Sequence, residues 1–128
     1  MRFFNTASGT KEEFSKDSKK LGLYICGPTV YSETHLGHAK SYVSFDILKR
    51  WLTYKGYEVT HIQNFTDVSD ETAEGASKEG VDEFTFTQKY EREFLDNMAL
   101  LSNTHATKYT RASDFVEKIA METRKLLE

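Results

Sequence analysis

The 128-residue sequence is 38% hydrophobic, 13% aromatic and 29% charged, which is typical of a folded globular protein and excludes a disordered or fibrous class. Its formal net charge of -3 at pH 7 provides no broad basic surface for binding nucleic acid by charge alone. The single cysteine excludes an internal disulfide, and the sequence shows neither a secretory signal nor a long apolar run. We therefore expect one domain, a cytoplasmic location and no membrane partner.

The first elements in chain order are a hairpin and a buried strand. FFNTASGTKEEF is expected to hold a short strand or hairpin, and KDSKK a solvated turn. The apolar run LGLYIC at 21–26, bounded by glycine and proline, predicts a strand buried on both faces. Residues 39–54 predict a helix with a wide buried face made of two adjacent apolar stripes: Val43, Ile47, Trp51 and Tyr54, and Phe45, Leu48 and Leu52.

A second strand completes a βαβ unit. Gly56 ends the helix, and YEVTHIQNF at 57–65 is rich in the β-branched and aromatic residues that favour strands. The two strands of such a unit are parallel, and ligands bind where their carboxyl ends meet helix N-termini. The loops at 26–38 and 64–71 are therefore expected on one rim of the sheet.

The second half of the chain predicts helices and no further strand. A short polar helix is expected at 69–80 and another helix from about Ser113. Between them, an amphipathic helix is marked by Phe86, Tyr90, Phe94, Met98 and Leu101, and the last helix carries Val116, Ile119, Ala120 and Leu127. The predicted fold is α/β, with parallel strands followed by helices.

The sequence HLGH at 35–38 lies at the predicted start of the first long helix. A helix N-terminus offers free N–H groups and a partial positive charge, and a glycine lets a ligand approach the backbone. Imidazoles at His35 and His38 add hydrogen-bond donors for phosphoryl oxygens. The pattern predicts a nucleoside triphosphate site, and the alternative is a helix start with solvent-facing histidines.

Longer segments resemble a known family. CGPTVY at 26–31, THLGHAKSYVSFD at 34–46 and QNFTDVSD at 63–70 together resemble the N-terminal catalytic part of cysteinyl-tRNA synthetases, class I enzymes with a His-x-Gly-His type motif. FFNTASGTKEEF and YTRASDFVEKI resemble the family's opening segment and the approach to its connective insertion. The resemblance implies the first half of a Rossmann-like, HUP-type nucleotide-binding domain. Residues 1–128 would form a single partial domain that runs into the start of that insertion.

The resemblance also implies a reaction. ATP, with Mg²⁺, would activate cysteine to cysteinyl-adenylate, and the cysteinyl group would pass to tRNA(Cys). His35 and His38 would be the catalytic residues that bind phosphate and stabilise the developing charge, and Gly37 would make room for ATP.

The family's pocket for the substrate cysteine matches four positions here: Cys26, Gly27, Thr29 and Thr66. By resemblance Cys26 is also a ligand of Zn²⁺, whose softness favours a thiolate over the hydroxyl of serine. The remaining zinc ligands of the family have no counterpart in this sequence, and His61 and His105 stand in other contexts. Without the resemblance, Cys26 is a small apolar residue at a strand end, and the two threonines have turn or cap roles.

The sequence departs from the family at several points. The family more typically has an acidic residue at Ser69 and a lysine at Glu71, whereas Asp67 and Asp70 persist as pocket residues or helix caps. The lysine-rich loop that closes over ATP is absent, so we expect the isolated chain to be inactive.

Three hypotheses remain open from the sequence. The chain is an N-terminal fragment of a synthetase, alone or completed by a second chain. Alternatively it is a cysteine ligase of mycothiol-type synthesis, or a non-catalytic paralogue that binds a nucleotide or a protein. Exposed apolar surface on a half-built domain also predicts self-association.

Overall fold

A computed structural model describes residues 1–14 and 18–127, so the predicted turn at KDSKK lies partly outside the described residues. The strands are β1 (Arg2–Asn5), β2 (Thr10–Glu13), β3 (Lys20–Ile25), β4 (Glu58–Phe65) and β5 (Lys108–Arg111). The helices are α1 (Leu36–Tyr54), α2 (Asp70–Glu79), α3 (Glu83–Leu100) and α4 (Val116–Leu127), the last preceded by a 3-10 turn at Ser113–Phe115.

The predicted βαβ unit is confirmed. β3 and β4 pair in parallel, with Leu21 opposite Val59 and Ile25 opposite Gln63, and α1 connects them. β1 and β2 form the expected hairpin, which is antiparallel. The α/β fold with parallel strands is thus confirmed, and the loops after β3 and β4 lie at the same edge of the sheet.

The expectation of no further strand in the second half is wrong. β5 pairs in parallel with β4, which gives the sheet order β3-β4-β5. Its sequence, KYTR, is only four residues long, is mostly polar and contains no buried residue, so it has no periodic apolar pattern. The strand is specified by its tertiary neighbours, because the ring of Tyr109 stacks on that of Phe65 with centroids 5.3 Å apart.

The hydrophobic core joins the sheet to α1 and α3. Phe65 on β4 is fully buried, and the ring of Phe94 on α3 meets the rings of Phe65 and Tyr42 edge to face at 5.7 and 4.9 Å. The buried cluster consists of Ile25, Val30, Tyr42, Phe65, Phe94 and Met98. Val30 belongs to the loop that follows β3, so packing in the core holds that loop in place.

The predicted buried face of α1 is wrong in part. Tyr42 and Leu52 are buried, but the side chains of the first predicted stripe are largely outside the core: Ile47 is 62%, Trp51 43% and Tyr54 78% exposed. Phe45 is also exposed, while Val43 and Leu48 are half-buried.

Charged side chains explain why α1 turns a different face toward the core than the apolar pattern predicts. Asp46 accepts hydrogen bonds from the backbone and hydroxyl of Thr104, and Lys49 donates to the carbonyl of His105 at 2.7 Å. These contacts turn polar positions of α1 toward the loop before β5. Apolar periodicity alone does not contain that information.

The remaining predicted helices are confirmed with adjusted ends. α2 ends at Gly80, which adopts a left-handed conformation with φ 68° that favours glycine. In α3 the residues Phe86, Phe94 and Met98 are buried, whereas Leu101 lies at the C-cap and is exposed. α4 buries none of its residues among those described. None of the helices in the described ranges is both long and apolar enough to cross a membrane.

Candidate active site

Two histidines form the cap of α1. His35 is the N-cap residue, with extended backbone, and its Nδ1 accepts a hydrogen bond from the N–H of Gly37 at 3.0 Å. In return the N–H of His35 donates to Nδ1 of His38 at 3.4 Å. This reciprocal arrangement satisfies two backbone donors at the helix start, the usual task of serine, threonine, asparagine or aspartate.

The cap also fixes which nitrogen of each ring carries hydrogen. An Nδ1 that accepts a backbone N–H cannot carry its own proton, so the neutral form of each ring has its hydrogen on Nε2. The two rings stack with centroids 4.0 Å apart and an interplanar angle of 21°. Two stacked rings, each with an Nε2–H donor, therefore lie at the positive end of a helix, an arrangement that suits an anionic group.

Burial lowers the pKa of His38, and the neighbouring His35 lowers it further when charged. The shift keeps His38 neutral near physiological pH and so preserves its acceptor role toward the backbone of His35. His38 therefore offers a neutral hydrogen-bond donor rather than a fixed positive charge.

A structural constraint, besides access for a ligand, explains why position 37 is a glycine. A Cβ at this position would lie 2.8 Å from Cε1 and 2.9 Å from Nδ1 of His35. A side chain there would require the His35 ring to shift from the position in which it caps the helix. Glycine thus serves the histidine pair, whatever room it also leaves for a nucleotide.

The four predicted pocket residues lie in the loops that follow β3 and β4. Thr29 and Thr66 form a parallel bridge that extends the pairing of the two strands. The N–H of Thr66 donates to the carbonyl of Pro28 at 3.0 Å, and that of Val30 donates to the carbonyl of Thr66 at 3.1 Å. The structure therefore brings Gly27, Thr29 and Thr66 together, with Cys26 immediately after the end of β3.

Tyr42 links this pocket to the histidine pair. Its hydroxyl donates to the carbonyl of Cys26 at 3.2 Å, and its ring centroid lies 6.4 Å from that of His38. Burial, with a smaller contribution from Cys26, raises the pKa of Tyr42, so the phenol stays protonated and remains a donor. The sequence did not single out this residue, because an aromatic side chain in an amphipathic helix is usually interpreted as part of the hydrophobic core.

Glu93 is a second residue that the sequence analysis missed. Its Oε1 accepts the N–H of Thr34 at 3.1 Å, directly before the histidine pair, and a longer bond of 3.4 Å from Asn97. Thr34 and Glu93 are 59 positions apart, so no local pattern connects them. This contact fixes the approach of the chain to α1 from the side of α3.

The residues that depart from the family pattern serve the start of α2. Ser69 is its N-cap: its side chain accepts the N–H of Thr72 at 3.2 Å, and Thr72 accepts the N–H of Ser69 at 2.8 Å. Asp70 and Glu71 occupy the first turn, where negative charge is favourable. Asp67 is buried and accepts the N–H and the hydroxyl of Ser113 at 2.9 and 2.5 Å, so it caps the turn before α4 rather than α2.

The described residues do not by themselves fit a zinc ion. In residues 1–14 and 18–127, no three histidine, cysteine, aspartate or glutamate side chains form a group that could hold a metal. A zinc site that reserves one position for substrate needs about three protein ligands. Cys26 is an exposed free thiol, His61 is a buried strand residue and His105 is exposed in a loop. Cys26 is therefore at most one ligand of a set.

The buried environment of His61 predicts that the free energy of unfolding depends on pH. Burial lowers its pKa, and the charge of Lys49 lowers it further, while Asp46 opposes the shift. Because the pKa of His61 is lower in the folded than in the unfolded protein, protons bind the unfolded protein more readily. The folded protein therefore keeps its full stability above the unfolded-state pKa of about 6.5 and loses stability as the pH falls toward the folded-state pKa. Denaturant unfolding should show that the free energy of unfolding decreases from about pH 7 to about pH 5, and that His61→Leu weakens the decrease.

The exposed His105 is the matched control for His61. The variant His105→Gln should retain the decrease, since only the backbone carbonyl of His105 bonds Lys49. An identical pH profile in wild type and His61→Leu would contradict the assignment.

Comparisons with known proteins show the family of this chain. The family described as tRNA synthetases class I (C) catalytic domain matches residues 13–128. The cysteine–tRNA ligase of Dehalococcoides mccartyi strain BAV1 is 46% identical over 120 residues, which are 93% of this chain and 26% of that protein. The cysteine–tRNA ligase of Chlamydia pneumoniae is 42% identical over 126 residues, 98% of this chain and 27% of its own length. The chain thus spans about a quarter of the length of these relatives.

A solved structure shares the fold. It is described as the ternary complex of Agrobacterium radiobacter K84 agnB2 LeuRS with tRNA and LeuAMS. The TM-score is 0.63 at 23% identity, and the match covers 70% of this chain and 12% of the other. The two proteins therefore share the fold of a parallel sheet with helices. The family match over nearly the whole chain confirms the resemblance found in the sequence: the chain belongs to the class I (C) tRNA synthetase catalytic domains.

Proposed function

We propose that this chain forms the first part of the catalytic domain of a cysteine–tRNA ligase, with residues 1–128 as one partial domain that runs into the connective insertion. In the complete enzyme the carboxylate of cysteine attacks the α-phosphate of ATP. A carboxyl oxygen–phosphorus bond forms, the bond to pyrophosphate breaks, and cysteinyl-adenylate results. The cysteinyl group then passes to the 3' end of tRNA(Cys), the bond between the carboxyl carbon and the AMP oxygen breaks, and AMP leaves.

The single observation that carries the proposal is the histidine cap of α1. Both Nδ1 atoms are occupied by backbone N–H groups, so both Nε2–H groups are free to donate to phosphoryl oxygens. Such donors stabilise a transition state most when they are fixed in advance, and the cap fixes them. His35 and His38 are thus the proposed catalytic residues, and Gly37 lies against the bound ATP.

The pocket for cysteine is proposed beside the cap, at Cys26, Gly27, Thr29 and Thr66. The bond from Tyr42 to the carbonyl of Cys26 holds this pocket next to α1, so carboxylate and α-phosphate would meet between them. Mg²⁺ would accompany ATP. A zinc role for Cys26 stays a prediction that requires ligands outside the described residues.

Calorimetric titration tests the proposal. The protein is titrated with ATP and with a non-hydrolysable cysteinyl-adenylate analogue, as wild type, His38→Ala and the control His105→Ala. We expect saturable binding by the wild type and the control, and its loss in His38→Ala. Equal binding by all three proteins, or by none, would contradict a nucleotide site at the start of α1.

Two further expectations accompany this function. A cytoplasmic location stays a prediction. Self-association is proposed through the exposed apolar face of α1, where Trp51 stacks on Tyr54 with ring centroids 5.6 Å apart. Light scattering tests it, and a monomer that binds no hydrophobic dye would contradict it.

A further inference from the structure

Asn64 connects the two loops that form the proposed cysteine pocket. It lies near the carboxyl end of β4, the central strand, opposite Thr110 of β5. Its Oδ1 accepts the N–H of Gly27 at 2.9 Å, and its Nδ2 donates to the hydroxyl of Thr66 at 3.3 Å. A third bond reaches Oδ1 from the hydroxyl of Tyr24 at 2.8 Å.

The orientation of this amide follows from its partners. The N–H of Gly27 can only donate, so the atom that faces it must be the carbonyl oxygen of the side chain. The amino group is thereby directed at Thr66. One planar group thus spans from the loop after β3 to the loop after β4.

The backbone of Asn64 adds a second, steric contact to the same loop. A Cβ at Gly27 would overlap the carbonyl oxygen of Asn64. Gly27 therefore approaches Asn64 more closely than any other residue type allows. The side chain of Asn64 then satisfies the N–H that this approach brings into the half-buried interior.

We propose that Asn64 is a positioning residue for the substrate cysteine, which sets the spacing of Gly27 and Thr66 across the pocket. This inference rests on the proposed function. Asn64 need not touch the substrate, since its polar atoms are engaged by the two loops and Tyr24. Its removal should widen the cysteine pocket and leave the histidine cap, which is built from local bonds within residues 35–38, as it is.

The test measures cysteine-dependent exchange of pyrophosphate into ATP by the full-length protein. The variant Asn64→Leu removes both loop contacts while keeping a side chain of similar size. We expect the KM for cysteine to rise about tenfold or more and the KM for ATP to stay within about twofold of the wild-type value. Asn64→Asp keeps the acceptor for Gly27, and the hydroxyl of Thr66 can rotate to donate to it, so this variant should recover most of the loss. Tyr24→Phe removes only the third bond to Oδ1 and leaves both loop contacts in place, so it should raise the KM for cysteine far less than Asn64→Leu does.

The outcomes separate the inference from the proposed function. Exchange by the wild type with equal changes of both KM values in Asn64→Leu, or with no change, overturns the positioning role alone. A lower rate with unchanged KM values also overturns it, because a merely structural defect reduces the active fraction. No exchange by the wild type overturns the proposed function, and the inference with it.

Discussion

Replacing Gly27 by alanine should lower the free energy of unfolding by about 2 kcal/mol or more, the usual cost of forcing an extra group into a packed site. The added Cβ would overlap the backbone carbonyl of Asn64, which belongs to the central strand and cannot move like a flexible side chain. The two pocket loops would have to separate, so binding of the cysteinyl-adenylate analogue should also be lost. Denaturant unfolding and calorimetry measure the two effects.

Gly22 provides a matched control for this substitution. It lies in β3, and a Cβ added there meets no atom within 4 Å. Gly22→Ala should change the free energy of unfolding by less than about 0.5 kcal/mol and leave binding intact. Equal stability of the two alanine variants would show that Gly27 does not lie against Asn64 as described.

The second large effect is expected at the histidine pair. His38→Ala should slow cysteinyl-adenylate formation by the full-length protein about 10²- to 10³-fold, the cost of losing one fixed donor to a developing negative charge. The loss should appear in kcat as well as in the binding of ATP, because the contact is made to bound ATP and strengthens further as charge builds up on the phosphate. Single-turnover kinetics measure this step.

Variants of His35 separate capping from catalysis. Asparagine is a good N-cap residue whose Oδ1 can accept the N–H of Gly37, so His35→Asn should keep its stability within about 0.5 kcal/mol yet slow the reaction. His35→Ala should lose the cap as well, at about 1 kcal/mol. A wild-type rate in His35→Asn would mean that His35 only caps the helix.

The sequence was sufficient to predict the βαβ unit and the edge of the sheet where the candidate site lies. Two short apolar strands on either side of an amphipathic helix leave few alternatives, and HLGH stands at the start of that helix. The contacts that hold the site in place could not be predicted. Glu93 and Asn64 reach partners 59 and 37 positions away through single polar side chains, and such pairs leave no periodic pattern in a sequence.

The errors have the same origin. β5 was missed because four mostly polar residues form a strand only through their neighbours, and the face of α1 was misjudged because Asp46 and Lys49 turn inward to bond a distant loop. In both cases tertiary contacts outweigh local preference. The cap formed by the two histidines with Gly37 likewise could not be predicted from the sequence, since histidine is an uncommon N-cap residue.

The contacts between α1 and the loop before β5 also bear on the order of folding. Arg50, Lys49 and Asp46 bond residues 52 to 58 positions further along the chain, whereas the cap at 35–38 closes within four residues. Closing long loops is slow, so local structure should precede them. We expect the helix start to gain protection early in pulsed hydrogen exchange, and β5 to dock late. The histidine cap would then exist before the sheet is complete.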